Sequence, residues 1–433
     1  MSVEMKDSGI DWIGYIPMHW EVTRLKNVFC EYNVKSENGT ETLLSLSQYT
    51  GVKPKSETEL AGSHEAESYE GYKIVKAGQL VMNIMLAWNG SYALSDYDGM
   101  ISPAYCIYDF RTVCHKKYFH YLLRIDGYPS AFKTMSRGII DSRLRLYPEQ
   151  FYTFNTVVPP IEEQSRIANF LDKKCAEIDE LIALQEQMIA QLNTYKQAVI
   201  TETVTKGLDS NVNMKDSGVE WIGEIPELWE VIPLRFLGRT QNGISKGGDY
   251  FGEGYPFVNY GDIYKNYFIG SDGATGLAKS SMEDQMNYSV KKGDVFFTRT
   301  SETIEEIGFS CACVETIENA TFSGFLIRFR PYDNILYPLY SGYYFRSIMH
   351  RQYFVKEMNI VTRTSLGQDL LKGLPVIIPP LSEQQSIAQY LDQKCKGIDE
   401  LISIKKEKIE HLKAYKKSVI YEYVTGKKQV SDN

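Results

Sequence analysis

The chain has 433 residues, 47 Lys and Arg against 55 Asp and Glu, a net charge of −8 and 43% hydrophobic residues. That length holds two to four domains and rules out a single small module, and the composition is that of a packed globular protein, not of a fibrous or disordered chain. The acidic balance excludes nucleic-acid binding by bulk charge and leaves room only for a local basic groove.

At the start of the chain, residues 1–26 lack the basic-then-apolar order of a signal peptide, and no stretch approaches the roughly 18 apolar residues of a membrane span. A cytoplasmic protein with no membrane partner is expected. The seven cysteines, Cys30, Cys106, Cys114, Cys175, Cys311, Cys313 and Cys395, are odd in number and scattered, which fits reduced thiols. Alternation around Cys311 and Cys313 reads as two strand residues on one face, ahead of a metal site.

Residues 5–28, MKDSGIDWIGYIPMHWEVTRLKNV, return 209 positions later at 214–237 as MKDSGVEWIGEIPELWEVIPLRFL. Residues 157–208, opening VVPPIEEQSRIANFLDKKCAEIDELI, return 220 positions later at 377–428 as IIPPLSEQQSIAQYLDQKCKGIDELI. The chain is a tandem duplication: a leading Trp-bearing segment, a long middle, then a segment after Pro-Pro. The middles, about 29–156 and 238–376, do not resemble each other over most of their length. Two like frames with unlike contents point to a scaffold arranged about a pseudo-twofold axis, carrying modules with different tasks.

In the first middle, strand-like runs are predicted at 79–86 and 104–110 and a short helix at 117–125; in the second, strands at 294–300, 309–314 and 324–330 and a helix at 336–349. Each middle is an α+β module. The segments after Pro-Pro are predicted as long helices. Leu171, Ile178, Leu192 and Val199 form one heptad series interrupted by Gln185, and Leu181, Met188 and Tyr195 a second. The other copy gives Leu391, Ile398, Leu412 and Val419 with Leu401 and Tyr415. Ser382 and Gln385 have the spacing of a capping box, and the cap of the first copy is weaker because Glu162 stands in place of the serine. A helix of about 40 residues is about 60 Å long and needs a partner, for which the other copy, antiparallel, is the natural choice.

The expected fold is therefore α+β: two globular α/β modules separated by an antiparallel coiled coil of two long helices, in pseudo-twofold duplication. The divisions are a first module at 1–156, a helix at 157–208, a second module at 209–376, a helix at 377–428 and a tail at 429–433.

Catalytic patterns are absent. Residues 243–249, GISKGGD, lack the Lys-Ser/Thr of a phosphate-binding loop, and there is no dinucleotide fingerprint, nucleophile elbow or His-Glu-x-x-His zinc motif. The Pro-Pro pairs lack the polar and aromatic neighbours of the amine-binding loop of amino-methyltransferases. Asp179-Glu180 and Asp399-Glu400 read as solvated helix flanks, and the six histidines form no triad. The chain is expected to be non-catalytic and to hold no cofactor or metal.

The leading motif Asp7-Ser-Gly-Ile-Asp-Trp-Ile-Gly, repeated from Asp216, resembles the specificity subunit of bacterial type I restriction-modification enzymes. So do Pro-Pro-[Ile/Leu]-x-Glu-Gln before each long helix and Lys292-Gly-Asp-Val-Phe-Phe-Thr-Arg-Thr-Ser301, and the match covers essentially the whole chain. The resemblance implies two target recognition domains, each reading half of a split, asymmetric site in double-stranded DNA, with the helices as spacer and docking surface. It implies two modification subunits that carry S-adenosylmethionine and methylate adenine, and restriction subunits that use ATP and Mg. The candidate DNA contacts are Arg and small polar residues, Arg being the commonest bidentate reader of guanine. In the first module these are Asn83, Trp88, Asn89, Arg137, Arg143 and Arg145; in the second they are Lys246, Thr298, Arg299, Thr300, Arg363 and Thr364. Arg143 and Arg363 match across the copies and serve equally well as structural salt bridges, and Trp88 reads as core ahead of base contact. A scaffold whose middles bind proteins is the alternative, told apart by a gel shift showing no sequence-selective DNA binding even with modification subunits present.

Overall fold

The computed structural model describes residues 4–58, 68–138, 140, 144–301, 307–357 and 364–430. It divides into two units, 1–185 with 407–433 and 186–406. The two long helices, α1 (Ile161–Lys206) and α2 (Leu381–Val424), each run through both units.

In the first unit a four-stranded antiparallel sheet has the order Phe29–Glu31, Tyr105–Phe110, Leu80–Asn83, Tyr92–Leu94. The two-residue period of a strand splits its side chains between two cores. Leu80, Met82, Cys106 and Tyr108 face an aromatic core with Tyr118, Phe119, Tyr128, Phe132 and Phe151, whereas Val81 and Ile107 face a smaller cluster with Leu44, Leu46 and Val52. Helices Lys116–Leu123 and Gly127–Met135 cover the aromatic side. The predicted strand over 79–86 stops at Asn83, because the Asn83 carboxamide oxygen accepts the Met85 N–H and turns the chain.

The second unit holds a five-stranded sheet in the order Gly238–Asn242, Leu326–Pro331, Val295–Thr298, Ser310–Cys313, Phe268–Ile269. Val295, Phe297, Ala312 and Phe329 meet the core of helix Pro338–Arg346, while Phe296, Cys311, Cys313 and Leu326 enter a separate cluster. Cys311 and Cys313 are thus same-face strand residues, and burial pushes both thiols up, Cys313 to about 12.

The repeated motifs do the same work in both units. The strand after each Trp pairs with the strand before Pro-Pro, Glu21–Arg24 with Asn155–Val158 and Glu230–Pro233 with Pro375–Ile378, which closes the ends of each module on each other. Buried Trp20 donates its indole N–H to the Glu163 carboxylate at 2.9 Å, and Trp229 donates to Glu383 at 2.7 Å. The following glutamines are also duplicated: Gln164 accepts from the His115 N–H and donates to Pro159 O, while Gln384 accepts from the Tyr337 N–H and donates to Pro379 O. The Pro-Pro-x-x-Glu-Gln motif is therefore a clamp between helix start and module. The capping box expected at Ser382 does not form as drawn, because the helix already begins at Leu381 and Ser382 lies inside its first turn.

Each Trp also touches the end of the other long helix. Gly207, with φ of 78° after α1, sits where a Cβ would meet the Trp229 ring at 3.2 Å; Gly426, with φ of 71° after α2, lies against Pro17 and Trp20. Only glycine takes that left-handed conformation at no steric cost. Tyr118 donates to Val424 O at 2.9 Å and Lys427 to Ile13 O at 2.9 Å, which ties the C-terminal tail to the leading segment.

The long helices pack together by reciprocal contacts. Lys416 meets Asp179 in the first unit, and Lys196 meets Asp399 in the second, with closest N–O distances of 2.6 and 2.7 Å. Positions 179 and 399, and 196 and 416, are equivalents across the 220-residue repeat, so one pair of repeat positions is used twice, the signature of an isologous contact. Of the expected seam, Leu171, Ile178, Val199, Leu391, Ile398 and Val419 are buried, Gln185 is buried among them, and Leu192 and Leu412 are half-buried. The second series is corrected. Leu181, Tyr195, Leu401 and Tyr415 are exposed and Met188 is half-buried, and the positions that alternate with the first series are Ala168, Cys175, Ile182 and Ile189, with Ala388, Cys395, Ile402 and Ile409 in α2. A spacing of three then four residues follows the helix face, which a bare count of sevens from the most apolar residues misses by one position.

Replacing Trp20 or Trp229 by Ala should destabilise the corresponding unit by about 3–5 kcal/mol, the range for a large buried aromatic. Urea unfolding monitored by circular dichroism checks this; a loss below about 1 kcal/mol would show that the clamp is dispensable.

Candidate nucleic-acid interface

In both modules the end of a central strand, the loop after it and the segment leading to Pro-Pro come together. Leu146 donates its N–H to Ile84 O at 2.9 Å in the first module, and Leu366 donates to Arg299 O at 2.7 Å in the second. The strands that end there, Leu80–Asn83 and Val295–Thr298, each start from a Gly turn stapled by a side chain. Gln79 accepts the Lys76 N–H and Asp294 accepts the Lys291 N–H, both after a glycine of positive φ. The unlike middles thus share a frame that sequence reasoning missed. Its signal was Lys76-x-Gly-Gln against Lys291-x-Gly-Asp, too short to stand out. In the second module Asp294 is fully buried and held by a bidentate Arg330 at 2.5 and 2.6 Å, which assigns this part of the motif to structure.

The first module's locus carries a charge arrangement that folding alone would not select. Arg137 and Arg145 are bridge partners that exchange two 2.9 Å backbone hydrogen bonds, and both side chains are exposed. Like charges directly opposite across an antiparallel pair are destabilising. Beside them, Trp88 is half-buried, donates to Met85 O at 3.0 Å and carries the Lys133 ammonium 4.9 Å from its ring centroid. Asn89 is half-buried and accepts from Ser91 Oγ at 2.8 Å. Asn83 is buried and its carboxamide is used within the turn, so it leaves the set of surface contacts.

In the second module Arg299 and Thr300 are half-buried at the end of the central strand, and the backbone of Thr300–Ser301 pairs with Thr364–Ser365. Thr298 is fully buried, because it is the last strand residue facing inward, and is withdrawn as a contact. Lys246 is exposed but engaged: it binds Asp284 at 2.9 Å and lies 4.4 Å from the centroid of Tyr250. Burial raises the Asp284 carboxyl, yet the hydrogen bonds from Lys246, Ser281 and Tyr250 outweigh it and bring the group down to about 2. That carboxylate is ionised at neutral pH, so it offsets the Lys246 charge. Arg143 and Arg363 lie outside the described residues, as does the side chain of Thr364. Among the described residues no group of His, Cys, Asp and Glu is placed to hold a metal, and no helix is long and apolar enough to cross a membrane.

Residues 226–413 match the family described as type I restriction modification DNA specificity domain. The chain is 24% identical to the type I restriction enzyme MjaVIII specificity subunit of Methanocaldococcus jannaschii, over 96% of this chain and 95% of that one. It is 27% identical to the putative MjaX specificity subunit of the same organism, over 72% of this chain and 68% of that one. A chain solved in a study of complex assembly and conformational transition of the type I restriction-modification system superposes with a TM-score of 0.69 at 18% identity, covering 94% of this chain and 98% of that one.

Arg145→Ala should raise the stability of the first unit, by up to about 1 kcal/mol, through relief of the opposed charges. A thermal melt at low ionic strength checks the sign; a loss of stability would mean that the guanidinium makes structural contacts.

Proposed function

Since the chain belongs to the family of type I restriction-modification specificity subunits, we propose that each of its modules reads one half of a bipartite, asymmetric DNA site, with no catalytic step of its own. The observation that carries this is the pair of loci built on one frame with different side chains. The first opposes Arg137 and Arg145, and the second presents Arg299 and Thr300 at the matching strand end. One frame with two surfaces is what reading two unlike half-sites requires. The cost of facing two arginines is recovered when phosphates or guanine edges lie against them. On an acidic chain such local clusters are where phosphate neutralisation must come from.

The long helices supply the docking surface. Leu181, Leu184 and Tyr415 are exposed in the first unit, and their repeat equivalents Leu401, Ile404 and Tyr195 are exposed in the second. The same apolar trio displayed twice fits two copies of one partner, the modification subunit, which would bring S-adenosylmethionine; ATP and Mg belong to restriction subunits. The helices would also act as the spacer that sets the unread gap between half-sites. A cytoplasmic location follows from that partnership.

Mixed with its modification subunits, the chain should direct adenine methylation to a split, non-palindromic site. Arg299→Ala should cost about 1–3 kcal/mol at one position of the second half only, if that arginine reads a guanine bidentately. Methylation sequencing checks both; a palindromic site, or a uniform loss across all sequences, would contradict this reading of the module or of the residue. Leu181→Asp should reduce the bound modification subunits from two to one by native mass spectrometry, and retention of both would remove this surface from the docking site.

A further inference from the structure

Resting on the reading just given, we infer that the turn entering the central antiparallel pair of each module, with Ala104 at its tip in the first and Phe325 in the second, is a base-reading turn that contacts a thymine methyl group. The two turns are built alike. Tyr105 donates its N–H to Ser102 O and Leu326 donates to Ser323 O, closing a four-residue turn in each. The serine hydroxyl then accepts the N–H of the tip residue, Ala104 at 3.5 Å and Phe325 at 3.3 Å. Each turn runs into the strand whose first residue is paired with the end of the other central strand, Tyr105 with Asn83 and Leu326 with Thr298. Both tips therefore stand at the arginine-bearing loci.

The second tip is held firmly. Arg299 donates its N–H to Phe325 O at 2.9 Å, and Gly324 donates to Ile244 O at 2.8 Å. Gly324 is tightly placed, since a Cβ there would lie 2.0 Å from Ser245 Oγ and 3.0 Å from Ile244 O. With its backbone fixed on both sides, Phe325 still leaves 61% of its surface in water. The neighbouring strand residues Leu326, Ile327 and Phe329 are all buried, so Phe325 is the apolar side chain of this segment that is left in water. An exposed ring on a backbone held by Arg299 has the chemistry of an apolar reader. Alanine and phenylalanine are among the side chains that meet the C5-methyl of thymine in the major groove, while a neighbouring arginine takes the acceptors of guanine. The frame fixes the position, and the residue at the tip sets how far the contact reaches: short at Ala104, long at Phe325.

The test uses the complete chain with its modification subunits and duplexes carrying the methylated site, in which each thymine of either half-site is replaced in turn by deoxyuridine. That change removes the methyl group and nothing else. One replacement in the second half should weaken binding by the wild-type complex about fourfold, the value of burying one methyl group. Phe325→Ala should bind the thymine and deoxyuridine duplexes alike at that position, whereas Phe325→Leu, which keeps an apolar reach, should retain part of the difference. Sensitivity in the first half should be untouched by either variant. The inference is overturned if Phe325→Ala keeps the full deoxyuridine effect, if no second-half thymine matters, or if that half contains no thymine. Loss of all sequence-selective binding by the wild-type complex would instead sink the functional reading on which the inference rests. A thermal melt of both variants at the wild-type temperature confirms that the comparison is made on folded protein.

Discussion

The contact on which the rest depends is the clamp around each buried tryptophan. Its indole N–H is held by the carboxylate in the first turn of one long helix, and its ring lies beside the glycine that ends the other. A helix start and a helix end fixed to one side chain leave the two helices only an antiparallel pairing in that unit. The strand next to the tryptophan simultaneously pairs with the strand before Pro-Pro, so the whole module is suspended between two adjacent strands. Between those strands the clamp engages few residues by hydrogen bonds, among them the backbone of His115 and Tyr337 and the hydroxyl of Tyr118.

So few contacts leave the two middles room to diverge while their surroundings do not. What must be kept inside each module is small: a Gly turn stapled by Gln79 or Asp294, a central strand buried on both faces, and a backbone hydrogen bond from Leu146 or Leu366 to the residue just past the strand. The stapling residue differs in charge because its surroundings differ. Asp294 is completed by bidentate Arg330, whereas uncharged Gln79 needs no ion pair to stay buried. Just past the strand ends, at Ile84 and Arg299, the burial requirement relaxes and the two side chains are unlike.

The helices carry a buried apolar seam and, outside it, an exposed apolar trio in each copy. Their seam is filled by the three-then-four series of Ala, Cys, Leu, Ile and Val, flanked by the reciprocal Asp179–Lys416 and Lys196–Asp399 pairs. Partly exposed ion pairs of this kind contribute little to stability and more to register, because only one alignment satisfies both. Apolar residues outside the seam, repeated at equivalent positions in both copies, are a liability for an isolated chain.

The sequence alone determined the duplication, the long helices and the α+β middles, because each is written in local order: a repeat, a period, an alternation. It also singled out Arg137, Arg145 and Arg299 at strand or loop positions, of which the first two are exposed and the third half-buried. Tertiary structure decided the rest. Whether Leu181 or Ile182 lies toward the seam turns on one position of helical phase, and apolarity alone chose the wrong one. Thr298 and Asn83 were plausible contacts by type, but strand alternation in one case and a local turn in the other took their side chains out of reach. The kinship of the middles and the turns bearing Ala104 and Phe325 depend on backbone hydrogen bonds between segments far apart in the chain. Such bonds are indifferent to side-chain identity, so they leave almost no trace in the order of the residues.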